Sequence, residues 1–251
     1  MSVKFSVITI SLNAGDTIKK TCESICSQTF RDFEWIVIDG QSTDGTLEFL
    51  DYYSEEISIL ISERDSGIYN AMNKGIAHAS GDYCVFMNAG DSFYDENTLS
   101  HVAKYADSEL LYGDVVLKSE GPVLSCKNEK IIKYPEHLTG NFFLKNTLSH
   151  QSSFYKRNLF EEYGGYDQAF KIAGDYEMFV RLLKKHNISS RYIARPLSLY
   201  FLGGISNDLK FRSLRKREYH QIRWKYFPQY RFSFKSIRQE IRNFVNRNNK
   251  L

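Results

Sequence analysis

The chemistry available to this sequence rests on aspartates that close apolar runs. In Tyr83-Cys84-Val85-Phe86-Met87-Asn88-Ala89-Gly90-Asp91, a short run rich in aromatic and branched side chains reads as a buried strand that ends abruptly in a polar turn. Ligands of an open α/β sheet gather beyond the carboxyl ends of its strands, so such a strand delivers Asn88 and Asp91 to a cleft. Hard oxygen ligands on a short turn suit Mg2+ or Mn2+, which take their remaining ligands from water and substrate phosphates. A turn alone would also use Asn, Gly and Asp. The repetition of the pattern favours the metal. Glu34-Trp35-Ile36-Val37-Ile38-Asp39 ends in a carboxylate, and the run 57–61 leads through Ser62-Glu63-Arg64 to Asp65. Asp39, Asp65 and Asp91 on one edge of a sheet would repel one another unless a cation or a hydrogen-bonding ligand sits among them.

The elements that must hold these residues alternate regularly. Strands are expected over 5–10, 34–39, 57–61 and 83–87. Between them, Ile18, Cys22 and Ile25, then Leu47 and Leu50, then Ile68, Met72 and Ile76 recur at helical spacing. Asp16 or Thr17 can start the first helix, and Ser42 or Thr43 can cap the second. This order predicts an α/β fold, a doubly wound and mostly parallel sheet with helices on both faces and right-handed crossovers. No Gly-x-Gly-x-x-Gly follows the first strand, which argues against a dehydrogenase-type dinucleotide site.

The 251 residues suffice for one large domain or a domain with an appendage, and 42% hydrophobic with 25% charged residues is ordinary for a globular protein. The net charge of +3 conceals a segregation, because residues 209–251 hold thirteen of the 33 Lys/Arg and only two of the 30 Asp/Glu. An acidic body, 1–208, therefore precedes a basic tail that calls for an anionic partner, a membrane surface or a nucleic acid. Within the tail, Arg223-Trp224-Lys225-Tyr226-Phe227 and Tyr230-Arg231-Phe232 flank Pro228, as an interfacial helix pair on an anionic bilayer would. Cys22, Cys26, Cys84 and Cys126 form no CxxC pair and read as small buried hydrophobes. With no signal-peptide pattern and no long uninterrupted apolar window, the expected location is the cytoplasm, at the inner face of the plasma membrane.

Four spaced motifs, Ser-Val-Ile-Thr-Ile-Ser-Leu-Asn (6–13), Ile-Val-Ile-Asp-Gly-Gln-Ser-Thr-Asp-Gly-Thr (36–46), Glu-Arg-Asp-Ser-Gly-Ile-Tyr-Asn-Ala-Met-Asn-Lys-Gly (63–75) and Asn-Ala-Gly-Asp (88–91), resemble the family 2 glycosyltransferases of GT-A fold. The resemblance spans roughly the first 205 residues and implies a UDP-sugar donor, Mn2+ or Mg2+, and inversion at the anomeric carbon. It divides the body into a nucleotide-sugar half (1–95) and an acceptor half (96–208). It makes Asp39 the reader of the nucleotide base with Ser11 and Asn13 beside it, Asp65 a ribose or base contact, and Lys74 and Asn88 further donor contacts. Asp91 falls in the metal motif, whose first acidic residue is here Asn88. Asp175, just before Phe179, Leu182 and Leu183 of an amphipathic helix, falls at the general base, with Glu177 as the fallback. The preceding acidic position of the family is Gly174. His150, before Gln151, matches an acceptor or phosphate contact, and Gly203-Gly204-Ile205-Ser206 resembles a glycine loop that closes over the donor.

The resemblance is closest to bacterial enzymes of O-antigen and capsule assembly. It implies a lipid-linked acceptor such as N-acetylhexosaminyl-diphosphoundecaprenol, and glucose or galactose as the sugar transferred, in β-1,3 linkage. Gln221-Ile222-Arg223-Trp224 is one residue short of the Gln-x-x-Arg-Trp signature of processive members, which favours single addition. Two rivals make other demands. A sugar-phosphate nucleotidyltransferase would want a basic, glycine-rich loop after the first strand, where Ser11-Leu12-Asn13-Ala14-Gly15 has no Lys or Arg. A nucleic-acid-binding protein would leave the acidic strand ends unexplained, so no nucleic acid is expected as partner.

Overall fold

The structure, a computed structural model, describes residues 4–118, 129–201, 209–233 and 236–238. The loop 203–206 and Cys126 lie outside the described residues. The first four strands, β1 (Phe5–Ser11), β2 (Phe33–Asp39), β3 (Ile59–Ser62) and β4 (Tyr83–Phe86), are all parallel, in the order β3-β2-β1-β4. Helices α1 (Thr17–Cys26), α2 (Thr46–Asp51) and α3 (Ile68–His78) form the crossovers. Every residue of β1 is buried, because helices cover both faces of the sheet. Alternation along the strands divides the apolar residues. Phe5, Val7, Trp35, Val37 and Val85 pack with Ile18, Cys22 and Ile25 of α1. Ile8, Ile10, Ile36, Ile38 and Phe86 face Tyr69 and Met72 of α3. At Gly75 a Cβ would stand 2.4 Å from Ile8 Cγ2, so the missing side chain is what lets α3 lie against the sheet.

The α/β sheet flanked by helices is as expected, and strand directions become mixed in the second half. Next to β4 lies antiparallel β8 (Ser153–Lys156), then antiparallel β6 (Leu110–Lys118), then β9 (Ser190–Phe201) parallel to β6. β5 (Ser92–Phe93) closes the edge beside β9, and β7 (Glu129–Ile132) pairs with β6. Helices α4 (Thr98–Val102) and α5 (Asn158–Tyr163) fill the connections, and α6 (Gly174–Val180) runs on as a wider turn over Arg181–Lys185. Two local expectations change. β3 starts at Ile59 rather than 57, and its alternating half-buried pattern fits a sheet edge. Helix α2 has no hydroxyl cap from Ser42 or Thr43. It begins after Gly45, whose φ of 88° makes the turn, while Ser42 spends its hydroxyl on Asp39.

Among the described residues, the basic segment forms α7 (Arg212–Tyr226) and α8 (Pro228–Arg231), split at Pro228 as expected. α7 packs on the body. Ile222 and Phe227 enter the same core as α3 and α6, and Tyr219 stacks on Tyr176 of α6 with ring centroids 4.3 Å apart. Buried Glu218 accepts the backbone N–H groups of Lys171, Ile172 and Ala173, each at 2.9 Å, and so ties down the segment that leads into α6. No helix among the described residues is long and apolar enough to cross a membrane.

Candidate active site

A cleft of about 1270 Å3 opens beyond the carboxyl ends of β1 and β4, with α6 and α7 opposite. Ser11, Asn13, Asp65, Asn88, Asp91, His150 and Asp175 all line it. Asp39, Lys74 and Glu177 are not among its lining residues, and each has a physical reason.

Asp39 is fully buried behind the wall, and its carboxylate is saturated by the chain itself. It accepts from Ser11 Oγ (3.0 Å), Ser42 N (2.8 Å), Ser42 Oγ (2.5 Å) and Ser62 Oγ (2.8 Å). Ser42 Oγ in turn accepts from Asn13 N (2.8 Å), and Asn13 Oδ1 accepts from Thr43 N (3.0 Å). Asn13 has a φ of 48°, the left-handed region that Asn tolerates better than most residues. Asp39 thus shapes the loop that presents Ser11 and Asn13. Lys74 donates to Arg64 O (2.8 Å) and pairs with Glu63 (2.7 Å), which holds the β3–α3 loop that carries Asp65. Asp65 accepts from Gly67 N (2.8 Å), and a Cβ at Gly40 would meet its carboxylate at 2.7 Å. Glu177 is buried against Arg181 (3.1 Å) and accepts from the Tyr226 hydroxyl (2.5 Å), so this carboxylate joins α6 to α7.

The Asn88–Asp91 turn is braced by Thr21, whose place on α1 carries no local sign of this role. Thr21 Oγ1 of α1 accepts from Gly90 N (3.0 Å) and donates to Asp91 O (2.7 Å). Asp91 is 7% exposed, and Gln151 Nε2 donates to its Oδ2 at 2.9 Å. Burial pushes this carboxyl up from 3.8 to about 6, against the opposing pull of His150 and of the Gln151 bond. Asn88 Oδ1 is buried with no hydrogen-bond partner among the described residues. A buried orphan acceptor costs free energy unless something outside the protein completes it. Beside a carboxylate whose charged form is short of stabilisation, that something fits a hard divalent cation. No three His, Cys, Asp or Glu side chains among the described residues gather to hold a metal on their own. The protein would supply two oxygens, leaving the other positions to water and phosphate.

His150 joins the two ends of the site. Its Nε2 lies 3.2 Å from Asn88 Nδ2 and its Nδ1 lies 3.5 Å from Asp175 Oδ2. Asp175 sits in the first turn of α6, after Ala173 and Gly174, and is not the residue that caps it. Its Oδ1 accepts from Tyr176 N (2.7 Å) and faces the Tyr69 hydroxyl at 3.4 Å. A Cβ at Gly174 would come within 2.7 Å of the Tyr69 ring, which explains why this position has no side chain here. The described cysteines, Cys22, Cys26 and Cys84, are not among the residues that line the cleft. Burial pushes the Cys22 and Cys84 thiols up to about 12 and half-buried Cys26 up to about 11.

A strand order of this kind, with acidic turns at the strand ends, is that of a glycosyltransferase of GT-A-like fold. A model of the family described as Glycosyl transferase family 2 matches residues 6–164, and the chain belongs to that family. It is related to bacterial surface-polysaccharide glycosyltransferases. Over 221 residues it is 30% identical to a PGL/p-HBAD biosynthesis glycosyltransferase of Mycobacterium bovis, covering 85% of this chain and 83% of that one. Among solved structures it resembles S. aureus TarS 1-349 in complex with UDP-GlcNAc (TM-score 0.63, 18% identity), over 79% of this chain and 58% of that one. It also resembles the mannosyltransferase PcManGT from Pyrobaculum calidifontis in complex with GDP-Man and Mn2+ (TM-score 0.64, 19% identity), over 90% of this chain and 64% of that one.

Proposed function

We propose that the cleft transfers a hexose from a UDP-sugar to the hydroxyl of a lipid-linked sugar in surface-polysaccharide assembly, with inversion at the anomeric carbon. The acceptor we favour is an N-acetylhexosamine joined through a diphosphate to a polyprenol, with glucose or galactose added in β-1,3 linkage. One observation carries the reading. Asn88 and Asp91 on one side and Asp175 on the other line a single cleft, joined through His150 by contacts of 3.2 and 3.5 Å. A direct displacement needs a site for the leaving diphosphate and, apart from it, a base for the incoming hydroxyl.

In this reading Asn13, Ser11 and Asp65 hold the nucleoside end. Mn2+ or Mg2+ bound at Asn88 Oδ1 and Asp91 would offset the charge that develops on the departing diphosphate. The acceptor oxygen forms its bond to the anomeric carbon while the bond from that carbon to the diphosphate breaks. UDP leaves with the electron pair, and the acceptor proton passes to Asp175. The Tyr69 hydroxyl, the Tyr176 N–H and His150 orient the Asp175 carboxylate. Glu177, already engaged by Arg181 and Tyr226, has a structural role. Exposed Leu209, Trp224 and Phe232, interspersed with Arg and Lys, would rest on an anionic bilayer surface and bring the cleft to its lipid-linked acceptor.

The test is a panel of nucleotide sugars incubated with Mn2+ and a synthetic lipid-diphosphate N-acetylhexosamine, read by mass spectrometry, with the new linkage assigned by NMR. An α-configured product from an α-linked donor would overturn inversion. Transfer only to water or to protein would overturn the acceptor class.

A further inference from the structure

We infer that the cleft-facing side of α7 forms a second anion subsite, one that receives the phosphate groups carried by the acceptor rather than those of the donor. The inference rests on the functional reading above and deepens it. Arg215, Lys216, Tyr219, His220 and Arg223 all line the cleft, and their spacing places them on one face of the helix. The adjoining face is committed to the body through Glu218, which binds three backbone N–H groups, and through buried Ile222. The basic residues of the tail are therefore not equivalent. Some face outwards, whereas Arg215, Lys216 and Arg223 face the same cavity as Asp91 and Asp175, and Lys171 joins them from the loop before α6.

Position along the cleft separates this subsite from the donor site. Asn88 touches His150, His150 touches Asp175, and Asp175 is followed by Tyr176, whose ring stacks on Tyr219 of α7. The Arg223 guanidinium lies over both rings, 5.6 Å from Tyr176 and 5.3 Å from Tyr219, and its Nε donates to the Tyr176 hydroxyl at 3.3 Å. Arg223 is thus held in place by aromatic faces and a phenol oxygen, without a carboxylate to neutralise it among the described residues. Asp175 consequently stands between an oxygen-rich end suited to a cation and a cationic end suited to an anion. A leaving diphosphate at the first end needs no counterpart at the second. An acceptor whose hydroxyl meets Asp175 from the α7 side would extend its own anomeric substituent towards Arg215, Lys216 and Arg223. Guanidinium and ammonium groups converging on one wall recognise a phosphate or diphosphate ester.

The test measures binding and transfer with two soluble acceptors that share one sugar: N-acetylglucosamine on a short aryl-alkyl diphosphate, and the same sugar as an uncharged alkyl glycoside. Binding is titrated at saturating UDP and Mn2+, and neither acceptor requires a membrane. The wild type should bind the diphosphate acceptor at least tenfold more tightly than the uncharged one. An Arg215→Gln/Lys216→Gln double variant should lose most of that preference while its affinity for UDP stays within twofold. The single variant Arg223→Lys keeps the charge and loses the planar fork, and should lose part of the preference. An equal loss of UDP affinity would assign these cations to the donor and overturn the inference. So would an unchanged preference, including the case in which the double variant is impaired only in binding anionic vesicles. The functional reading fails separately, if the wild type binds the diphosphate acceptor as described yet forms no glycosylated product from any donor in the panel.

Discussion

Replacing Asp91 by Asn should stabilise the metal-free protein and abolish transfer, and the size of the first effect follows from burial. The carboxyl is raised from 3.8 to about 6, chiefly because its charged form is removed from water. A shift of about two units corresponds to roughly 3 kcal/mol, at about 1.4 kcal/mol per unit. For the sign, a carboxyl that holds its proton more tightly in the folded state than in the unfolded one favours folding at low pH. That advantage is lost as pH rises from about 4 to about 6, and the full penalty stands above 6. Asparagine reproduces the neutral form and can still accept from Gln151 Nε2. In EDTA the variant should therefore exceed the wild type by up to about 3 kcal/mol at pH 8 and by roughly half of that at pH 5. For a chain of this length each kcal/mol is worth about 2–4 °C, so the Tm gap at pH 8 should lie near 6–12 °C. Urea and thermal unfolding at both pH values measure it. Mn2+ should raise the Tm of the wild type and leave that of the variant unchanged. A variant less stable than the wild type at pH 8 in EDTA, or a gap equal at both pH values, would refute the reasoning.

Three further outcomes are expected. Asp175→Asn should lower kcat by about 10²–10⁴-fold with UDP affinity unchanged, as checked by rapid-quench transfer and calorimetric titration; a parallel loss of UDP binding would move Asp175 into donor recognition. Glu177→Gln should retain kcat within a few fold, because this residue braces α6 against Arg181 and Tyr226, whereas Glu177→Ala should cost about 3–5 kcal/mol by leaving the Arg181 charge buried, as read by urea unfolding. Glu218→Ala should strip the acceptor from three backbone N–H groups and cost about 3 kcal/mol, with faster amide exchange at Ile172 and Ala173 in a hydrogen-exchange experiment; unchanged protection there would show that α7 does not hold the loop.

The stretch 1–95 was the most legible part of the chain, because β1, β2 and β4 are buried on both faces and read as continuous apolar runs closed by polar turns. The stretch 96–208 was less so. Its strands are mixed in direction, and β6 pairs with both β8 and β9 through contacts distant in sequence, which periodicity does not record. Within the site, strand ends are what sequence reads best, and Asp65, Asn88 and Asp91 beyond them line the cleft. Asp39 ends the right strand, yet three serine side chains from three segments enclose it, and sequence alone gives no sign of that convergence. Thr21, Tyr69 and Gln151 went unselected for the same reason, since each acts through a partner far along the chain. The basic composition of the tail was plain. Its division between a body face, a cleft face and solvent was not, because a helix of such mixed character has no strong apolar stripe to orient it.

The most direct test of the central claim is a structure of the protein with UDP and Mn2+. The account predicts the diphosphate and the metal against Asn88 Oδ1 and Asp91, the uracil near Asn13 and Asp65, and the Asp175 carboxylate across open space from the β-phosphate, free to meet an acceptor. A nucleotide bound away from the Asn88–Asp91 turn, or a diphosphate lying against Asp175, would contradict it.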